Sequence, residues 1–471
     1  MPFSKHPRPE VLESLADAKF TPFWLDDKEH PEPTSALTDP ITADLTIVGA
    51  GFTGLWAALL AKEADPSLDV VLLEASEAGN AASGRNGGFV DHCLTHTFEN
   101  GLDRWPDELS KIIKMGFENL DAIEEVIQRY KIDCDFQNTG EMVVATEPYQ
   151  LEDLRNGPDE TAPYGLALQW YDQAQTRTLV NSPTYLGGLY DPAPVMLNPA
   201  RLAWGLRRAC LENGVRLFER TQVTGLSDEA KAVIVRTQYG QVEARKVALA
   251  TNAFPPLMKR LKYYILPVYD YALMSEPLTK AQRESIGWQK RMGLGDAGNQ
   301  FHYYRTSVDG RILFGGYDAV YHWNNGFGPH LETNRVAFGR LADHFFRTFP
   351  QLEGLRFTHA WGGAIDTCSR FSAFWGQAFG GKLAYVAGYT GLGVGASRFG
   401  AQVMLDLLNG EVNERTRLKM VREKPLPFPP EPVRSAVVNF TRWSIDQADR
   451  NEGRRNLWLK LLDVTGLGFN S

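Results

Sequence analysis

Residues 44 to 54 read Asp-Leu-Thr-Ile-Val-Gly-Ala-Gly-Phe-Thr-Gly. In this stretch a run of strand-forming residues ends at closely spaced glycines, and apolar residues at helical spacing follow. Gly49 permits a tight turn, Gly51 lets a ligand approach backbone N–H groups, and Gly54 lets the helix pack closely on the strand. The stretch therefore predicts a strand, a phosphate-binding turn and a helix whose N-terminus favours negative charge.

A second predicted strand ends at an acidic residue. Residues 70–73 are Val-Val-Leu-Leu, and Glu74 follows them, twenty positions after Gly54. A carboxylate at this place can accept hydrogen bonds from both hydroxyls of an adenosine ribose, and it disfavours the 2′-phosphate of NADP. We predict that this βαβ unit binds the adenosine half of a dinucleotide through Gly49, Gly51, Phe52, Thr53, Gly54, Glu74 and Ala75.

Two further glycine-rich loops indicate that the dinucleotide is FAD. One is Ser-Gly-Arg-Asn-Gly-Gly at 83–88, and the other follows the predicted strand 383–387 and precedes a helical pattern. A nicotinamide protein has no obvious need for these loops, whereas a helix N-terminus aimed at a flavin would stabilise charge on its reduced ring. The predicted contacts are Ser83, Gly84, Arg85, Asn86, Gly87, Gly88, Gly388, Gly391, Leu392, Gly393 and, after the predicted strand 246–249, Thr251.

The composition limits the class of protein. The 471 residues suffice for two or three domains, and the net charge of −8 argues against a role on nucleic acid. The first residues lack the apolar core of a signal peptide, and no apolar run approaches the roughly 20 residues of a membrane span. Four cysteines are scattered without disulfide or metal spacing. We expect a cytoplasmic protein that binds neither nucleic acid nor membranes, with its oligomeric state left open.

The order of these signals predicts the domain organisation. Because the dinucleotide motifs lie far apart, we predict an α/β plus antiparallel β fold, in which a sheet-rich substrate domain is inserted into a Rossmann-like FAD-binding domain. The predicted divisions are an N-terminal arm at 1–43, FAD-binding segments at 44–100, 196–260 and 355–425, substrate-domain segments at 101–195 and 261–354, and a helical tail at 426–471.

Local patterns add several elements. Apolar residues at spacings of three and four predict a long helix over 107–130, and alternation predicts a strand at 311–316. In the tail, a helix is predicted from Asn456 to Asp463, with packing or oligomer contact as its favoured role. Trp24 is expected to anchor the proline-rich arm.

The motifs resemble one known family. Residues 40–425 resemble the D-amino acid oxidase and glycine oxidase superfamily of FAD-dependent enzymes, most of all the branch that includes γ-glutamylputrescine oxidoreductase and aminophosphonate oxidoreductases. The resemblance rests on the residues at 83–88, 361–363, 367–370 and 388–393, on Trp24-Leu25 and on the end of the tail at 466–471. It implies that Gly49, Gly51, Gly54 and Glu74 hold the ADP half, that the backbone of Val223 lies against the adenine, and that the loops at 83–88 and 388–395 hold the isoalloxazine.

Departures from the resemblance narrow what it implies. The position of the oxygen-activating lysine of monomeric sarcosine oxidase falls near Phe314, so the electron acceptor stays open between O2 and another molecule. A lysine that binds the substrate carboxylate falls at Gly395, and the arginine of glycine oxidase before Thr367 is missing, which weakens support for a plain α-amino acid. The flavin-linking cysteine falls at Gly362 or Gly363 and not at Cys368, which implies noncovalent FAD.

The resemblance and the loops together predict oxidation of a small primary or secondary amine by hydride transfer to flavin N5. The imine product would hydrolyse to an aldehyde. Two alternatives stay open, namely an amino-acid or aminophosphonate oxidase and a flavin-bearing subunit of a larger complex. Because such a reaction depends on positioning and on exclusion of water, no catalytic base is nominated.

Several side chains are candidates for the substrate pocket. The pocket walls are predicted to include His302, Tyr303, Tyr304, Arg305, Trp361 and Tyr389, although aromatic residues are equally common in packing. Arg305 and Arg370 could hold a distal carboxylate or phosphonate, or form surface salt bridges. His92 and His96 have metal-compatible spacing on a helix, but no third ligand accompanies them, so no metal is predicted.

Overall fold

The structure is a computed structural model that describes residue 3, residues 6–464 and residues 467–468. Only residues 467 and 468 of the motif at 466–471 lie within this part of the chain. In the described residues the strands are β1 Ile41–Val48, β2 Val70–Leu73, β3 Phe89–Val90, β4 Glu141–Ala145, β5 Gln169–Asp172, β6 Gly187–Asp191, β7 Val195–Met196, β8 Arg216–Phe218, β9 Val223–Asp228, β10 Val233–Thr237, β11 Gln241–Leu249, β12 Leu266–Ser275, β13 Gly293–Asp296, β14 His302–Thr306, β15 Ile312–Gly316, β16 Val320–Tyr321, β17 Phe357–Thr367, β18 Phe374–Ala378 and β19 Leu383–Ala387.

The α-helices lie mainly on the faces of the sheets. They are α1 Phe52–Ala64, α2 Ala82–Arg85, α3 Phe98–Arg104, α4 Leu109–Arg129, α5 Leu151–Thr161, α6 Gln173–Leu179, α7 Pro199–Glu212, α8 Lys280–Ile286, α9 Arg335–Thr348, α10 Gly393–Asn409, α11 Glu414–Arg417, α12 Lys419–Arg422, α13 Val433–Arg450 and α14 Leu457–Val464. The predicted long helix, the predicted strand at 311–316 and the predicted tail helix are confirmed as α4, β15 and α14.

The first sheet has β1 at its centre. Among the described residues the sheet order is β18-β19-β11-β1-β2-β8, with β10 and β9 continuing from β11. The pairs of β1 with β11 and β2, of β2 with β8, and of β11 with β19 are parallel. Apolar cores cover both faces, which explains why β2 and β19 are uninterrupted apolar runs. The predicted Rossmann-like unit is confirmed.

The second sheet is mostly antiparallel. In the described chain its order is β16-β12-β15-β14-β13-β4-β6-β5, and β17 pairs with β12. A separate apolar core lies between this sheet and α9. The two sheets confirm the predicted mixture of α/β and antiparallel β structure. β17, however, runs antiparallel to β12 over ten paired positions. The segment 357–367, which was predicted to belong to the FAD-binding domain, therefore lies in the second sheet. The other boundaries stay a prediction.

The arm and the tail contact the rest of the molecule. The arm has 3-10 helices at Pro9–Leu15 and Phe23–Leu25, and Trp24 is buried, as expected for an anchor. The tail contains the eighteen-residue helix α13 in addition to the predicted α14. No helix within the described residues is long and apolar enough to cross a membrane.

Candidate active site

The glycine turn between β1 and α1 requires its glycines. Gly49 has φ of +101°, and a Cβ there would lie 2.5 Å from the carbonyl oxygen of Ala250. A Cβ on Gly54 would lie 1.8 Å from the carbonyl oxygen of Gly49. Both distances are far below a van der Waals contact, so no larger residue fits without movement of the backbone. Thr251 lies beside the same turn, next to Ala250.

Glu74 is fixed at the end of β2. One carboxylate oxygen accepts the N–H of Ala50 at 2.8 Å, and the other accepts the N–H of Ser76 at 2.9 Å. Burial raises the pKa of Glu74 above its ordinary value. Each oxygen keeps a further lone pair for a ribose hydroxyl. Ala75 beside it is exposed.

Val223 comes to the same end of the first sheet. The N–H of Thr221 donates to the carbonyl of Glu74 at 2.7 Å, and β9 begins two residues later at Val223. Residues from three separated segments thus meet where the adenosine half of a dinucleotide is expected.

The loop at 83–88 lies against the N-terminus of α1. The N–H of Phe52 donates to Ser83 Oγ at 2.8 Å, so this hydroxyl stands where the helix N-terminus favours a phosphate. Arg85 does not present a free charge, since it forms an ion pair of 2.8 Å with Glu332 and donates to the carbonyl of Asn80.

The rest of this loop is fixed locally. The side chain of Asn86 donates to the carbonyls of Ala82 and Ser83 and accepts the N–H of Gly88. Gly84 and Gly87 are tightly enclosed, because a Cβ would lie 2.3 Å from the carbonyl oxygen of Gly79 and 2.9 Å from Cε2 of Tyr303, respectively.

The loop between β19 and α10 has a buried carboxyl beneath it. Asp366 accepts the N–H of Gly388 at 2.6 Å, and burial raises the pKa of Asp366 to about 7. Thr53 Oγ1 donates to the hydroxyl of Tyr389 at 2.9 Å, which ties this loop to α1. A Cβ on Gly395 would already lie 2.2 Å from the carbonyl oxygen of Asp91, so a lysine does not fit at that position.

A cavity of about 1470 Å³ lies against the N-terminus of α1 and both glycine-rich loops, whereas Glu74, Val223 and Thr251 do not line it. This volume exceeds the roughly 300–1,000 Å³ typical of a pocket for one small ligand. The predicted cofactor residues that line the cavity are Gly51, Phe52, Thr53, Ser83, Arg85, Asn86, Gly87, Gly391, Leu392 and Gly393. The glycine turn, the N-terminus of α1 and the two loops all face this cavity. Such an arrangement fits a flavin dinucleotide.

One wall of the cavity belongs to the second sheet. Tyr303 on β14 lines it and donates its hydroxyl to the Asp270 carboxylate on β12 at 2.7 Å. Burial raises the pKa of Asp270 to about 6. Trp361 and Tyr389 line the same cavity, in agreement with their place among the candidate wall residues.

The other candidates do not line the cavity. His302 and Tyr304 point to the opposite face of β14 from Tyr303, as strand alternation requires. The hydroxyl of Tyr304 is 2.9 Å from that of Tyr185, and His302 bonds Asp296 and His344. His302 is buried, and Tyr304 belongs to the apolar core beside the second sheet.

The predicted anion holders have structural roles. Arg305 is buried and donates to the carbonyls of Leu197 at 2.6 Å and Gly88 at 3.1 Å. Arg370 is buried as well and donates to the carbonyls of Ser372 and Glu423. Neither residue is among those that line the cavity. Their expected contact with a distal carboxylate or phosphonate stays a prediction.

The histidine pair has a local explanation. His92 Nε2 lies 3.0 Å from Asp191 and the ring stacks on Phe117, while burial lowers the pKa of His96 to about 4. The segment between them is not helical, contrary to the expected spacing on a helix. Within the described residues no group of three or more histidine, cysteine or carboxylate side chains could hold a metal ion.

Several polar residues on the cavity wall were missed from the sequence, among them Glu141, Asp270 and Arg442. Burial and the nearby Asp91 and Asp191 raise the pKa of Glu141 to about 8. An acid within the apolar run of β12 was a possible signal for Asp270, whereas nothing local to the sequence distinguishes Arg442.

Comparisons with known proteins agree with this geometry. The chain matches the family model described as DAO, FAD dependent oxidoreductase, over residues 44–407. It is 32% identical to γ-glutamylputrescine oxidoreductase of Escherichia coli strain K12, with 84% of this chain and 90% of the relative covered. It is 29% identical to the probable oxidoreductase OrdL of Haemophilus influenzae, with 83% and 88% covered.

The fold is similar to a solved structure as well. The crystal structure of glycine oxidase from Geobacillus kaustophilus superposes with a TM-score of 0.68 at 18% identity, covering 81% of this chain and 99% of that one. The match over 44–407 spans the glycine turn, the loops at 83–88 and 388–393, and the second sheet. The chain therefore belongs to the family of FAD dependent oxidoreductases.

Proposed function

We propose that this protein oxidises a primary or secondary amine with noncovalently bound FAD. The observation that carries the proposal is the single cavity that joins the two flavin loops to a wall bearing Asp270, Tyr303 and Trp361. The relative that is 32% identical is named for γ-glutamylputrescine, which is an amine, and this supports the same class of substrate.

The reaction removes two electrons and two protons from the amine. The nitrogen must be unprotonated, and the hydride leaves the α-carbon while the nitrogen lone pair forms the C=N bond of an iminium ion. This ion then loses its N–H proton to water and becomes the imine. Bound FAD would supply the two-electron acceptor for this hydride at N5, with O2 or another molecule as the final acceptor. Water then hydrolyses the imine to an aldehyde, or to a ketone from a branched carbon, and releases the remaining amine.

The chain's own residues would orient the amine and exclude water. Asp270, with its pKa of about 6, is ionised at neutral pH and can accept a hydrogen bond from the substrate nitrogen. Tyr303 holds the Asp270 carboxylate in place, and Trp361 supplies an apolar wall. Ser83 and the N–H groups at the start of α1 would hold the pyrophosphate.

An amino-acid or aminophosphonate oxidase is a variant of the same chemistry. Gly395 cannot carry a lysine, and Arg305 and Arg370 are engaged by backbone carbonyls. These observations weigh against a carboxylate held by those residues. A flavin-bearing subunit of a larger complex stays an alternative, and the cytoplasmic location stays a prediction that agrees with the four free cysteines.

An anaerobic screen tests the proposal. The purified yellow protein is mixed with amines, amino acids and aminophosphonates, and loss of flavin absorbance is recorded before air is admitted. We expect bleaching by amines, and rapid return of colour in air only if O2 is the acceptor. A colourless protein that takes up no FAD, or flavin that no member of the screen reduces, would contradict the proposed activity.

A further inference from the structure

The tail returns to the cavity. Val437, Val438, Thr441, Arg442 and Ile445 of α13 all line it, and their spacing of three and four places them on one face of the helix. This helix lies outside the stretch 44–407 that matches the family. The tail therefore adds one wall to a cavity whose other walls come from the matched domains.

Arg442 contributes a positive charge to this wall. Within the described residues three arginines line the cavity, and two of them have carboxylate partners: Arg85 pairs with Glu332 at 2.8 Å and Arg455 with Asp463 at 2.7 Å. Among the described residues the guanidinium of Arg442 forms no hydrogen bond or ion pair. It is partly buried, so its guanidinium has lost part of its hydration without gaining a partner.

The carboxylates near Arg442 are already neutralised. Asp318 and Asp446 attract the Arg442 charge from a distance. Asp318 accepts two hydrogen bonds from Arg340, and Asp446 accepts from Arg450. Among these described groups around Arg442, two carboxylates face three guanidinium groups, so the Arg442 charge is not neutralised locally. The rest of the cavity lining is acidic, with Asp91, Glu141 and Asp191 among its carboxylates.

Arg442 faces the same region as the candidate substrate wall. Asp318 lies within electrostatic range of both Arg442 and Asp270. Asp318 also lines the cavity. It lies next to Tyr317, just after the end of β15. Because Asp270 and Arg442 both line one cavity, a molecule long enough to span the distance between them would meet both side chains.

We propose that Arg442 binds an anionic group of the substrate, so that the preferred substrates are amines carrying a separate carboxylate or phosphonate. This inference rests on the proposed amine oxidation. Arg442 acts as a specificity residue that holds the far end of the molecule, and α13 is the element that brings it there. The chemistry of recognition is the same for both anions, because a guanidinium forms charge-assisted hydrogen bonds with either.

Matched substrate pairs test the inference on the flavin-loaded protein. Anaerobic bleaching is followed with butylamine against 4-aminobutyrate, and with ethylamine against 2-aminoethylphosphonate. The variants are Arg442→Met and Arg442→Lys. Arg454→Met is the control because Arg454 is exposed and, within the described chain, its one ion pair is with the exposed Glu452. Flavin content and thermal stability establish that each variant is folded.

In each pair, the anionic amine is the compound that carries the carboxylate or phosphonate, and the neutral amine is the compound without it. We expect the native protein to be half-saturated by the anionic amine at a lower concentration than by the neutral amine. Arg442→Met should raise that concentration by about 10- to 100-fold for the anionic amine, as expected for loss of a charged hydrogen bond. The neutral amine should change less than about twofold, Arg442→Lys should lie between, and the control should match the native protein. The acidic amine that bleaches the flavin at the lower concentration shows whether a carboxylate or a phosphonate is preferred.

A second measurement does not depend on turnover. Propionate and methylphosphonate cannot be oxidised as amines, and their binding is followed by changes in the visible spectrum of the bound flavin. Saturable binding that Arg442→Met abolishes supports the inference. Equal preference for neutral and anionic amines, or equal effects of Arg442→Met on both, would overturn it while amine oxidation stands. A protein without reducible flavin would overturn the proposed function itself.

Discussion

Trp24 and Trp361 donate their indole N–H groups to the carbonyls of two consecutive residues, Asn86 at 2.9 Å and Arg85 at 2.8 Å. Trp24 belongs to the arm and Trp361 to β17, so the loop at 83–88 is held from two sides by distant parts of the chain. Three segments must therefore be in place before this loop has its observed shape.

The tryptophan pair predicts that the arm supports cofactor binding. Trp24→Phe keeps an aromatic ring but leaves the carbonyl of Asn86 without its donor, which costs about 1 kcal/mol of folding free energy. We expect a lower thermal midpoint and faster loss of FAD on dilution, and a similar result for Trp361→Phe. The matched control is Trp323→Phe, because Trp323 is exposed. Native retention of FAD in both buried variants would argue against this role.

A second prediction concerns the glycine turn. Gly54→Ala forces its Cβ against the carbonyl of Gly49, so α1 must move away from β1 and carry the phosphate-binding N–H groups with it. We expect the purified variant to hold little FAD and to lose about 1–3 kcal/mol of stability. Gly225→Ala is the control, since a Cβ there meets no atom within 4 Å. Flavin content per polypeptide, measured from the absorbance ratio, decides the question.

A third prediction links Asp366 to the pH dependence of stability. The pKa of this carboxyl is 3.8 ordinarily and about 7 in the folded protein, where burial raises it. Between these values the folded protein keeps a proton that the unfolded chain has released, so stability falls as the pH rises from about 4 to about 7. Asp366→Asn should remove this loss, because the amide stays neutral and its oxygen can still accept the N–H of Gly388.

The experiment for Asp366 compares free energies of unfolding at pH 4.5 and pH 8. The native protein should lose on the order of 3 kcal/mol more than Asp366→Asn between these pH values. Glu284→Gln, a change at an exposed acid, should behave as the native protein does. Parallel pH curves for the native protein and Asp366→Asn would show that the buried carboxyl does not titrate in this range.

The sequence determines the cofactor half of the site better than the substrate half. The glycine turn, Glu74 and the loop at 388–393 were predictable because each depends on a few consecutive residues with a fixed backbone shape. Val223 was predicted only through the resemblance. Its position depends on the hydrogen bond from the N–H of Thr221 to the carbonyl of Glu74, which is far away in sequence.

The substrate half depends on contacts between distant residues. Alternation along β14 predicts that Tyr303 and Tyr304 face opposite sides, but not which side is the cavity. Arg305 shares the face of Tyr303, yet it is taken up by the carbonyls of Gly88 and Leu197, which no local pattern reveals. Arg442 was missed because no local pattern shows that α13 packs over the cavity and brings this side chain to its wall.

A fourth prediction concerns Asp270 and Tyr303. The hydrogen bond from Tyr303 lowers the pKa of Asp270, against the effect of burial, which raises it to about 6. If ionised Asp270 orients the amine, kcat/KM falls as the pH drops through about 6. Tyr303→Phe should move this acid limb to higher pH, and Asp270→Asn should remove the limb and lower activity by about 10- to 100-fold. Tyr239→Phe, at an exposed tyrosine, is the control; an acid limb unchanged in Tyr303→Phe would reject the role.

The last prediction concerns the attachment of the flavin. Cys368 lies behind Gly388, where its thiol is buried and donates to the carbonyl of Ser372 at 3.2 Å. Burial raises the pKa of Cys368, which keeps the thiol protonated and removes the thiolate that a bond to flavin requires. Gly362 and Gly363 offer no sulfur. We expect heat or acid to release all FAD into the supernatant and Cys368→Ser to retain native flavin content; fluorescence that stays with the denatured polypeptide would establish a covalent link instead.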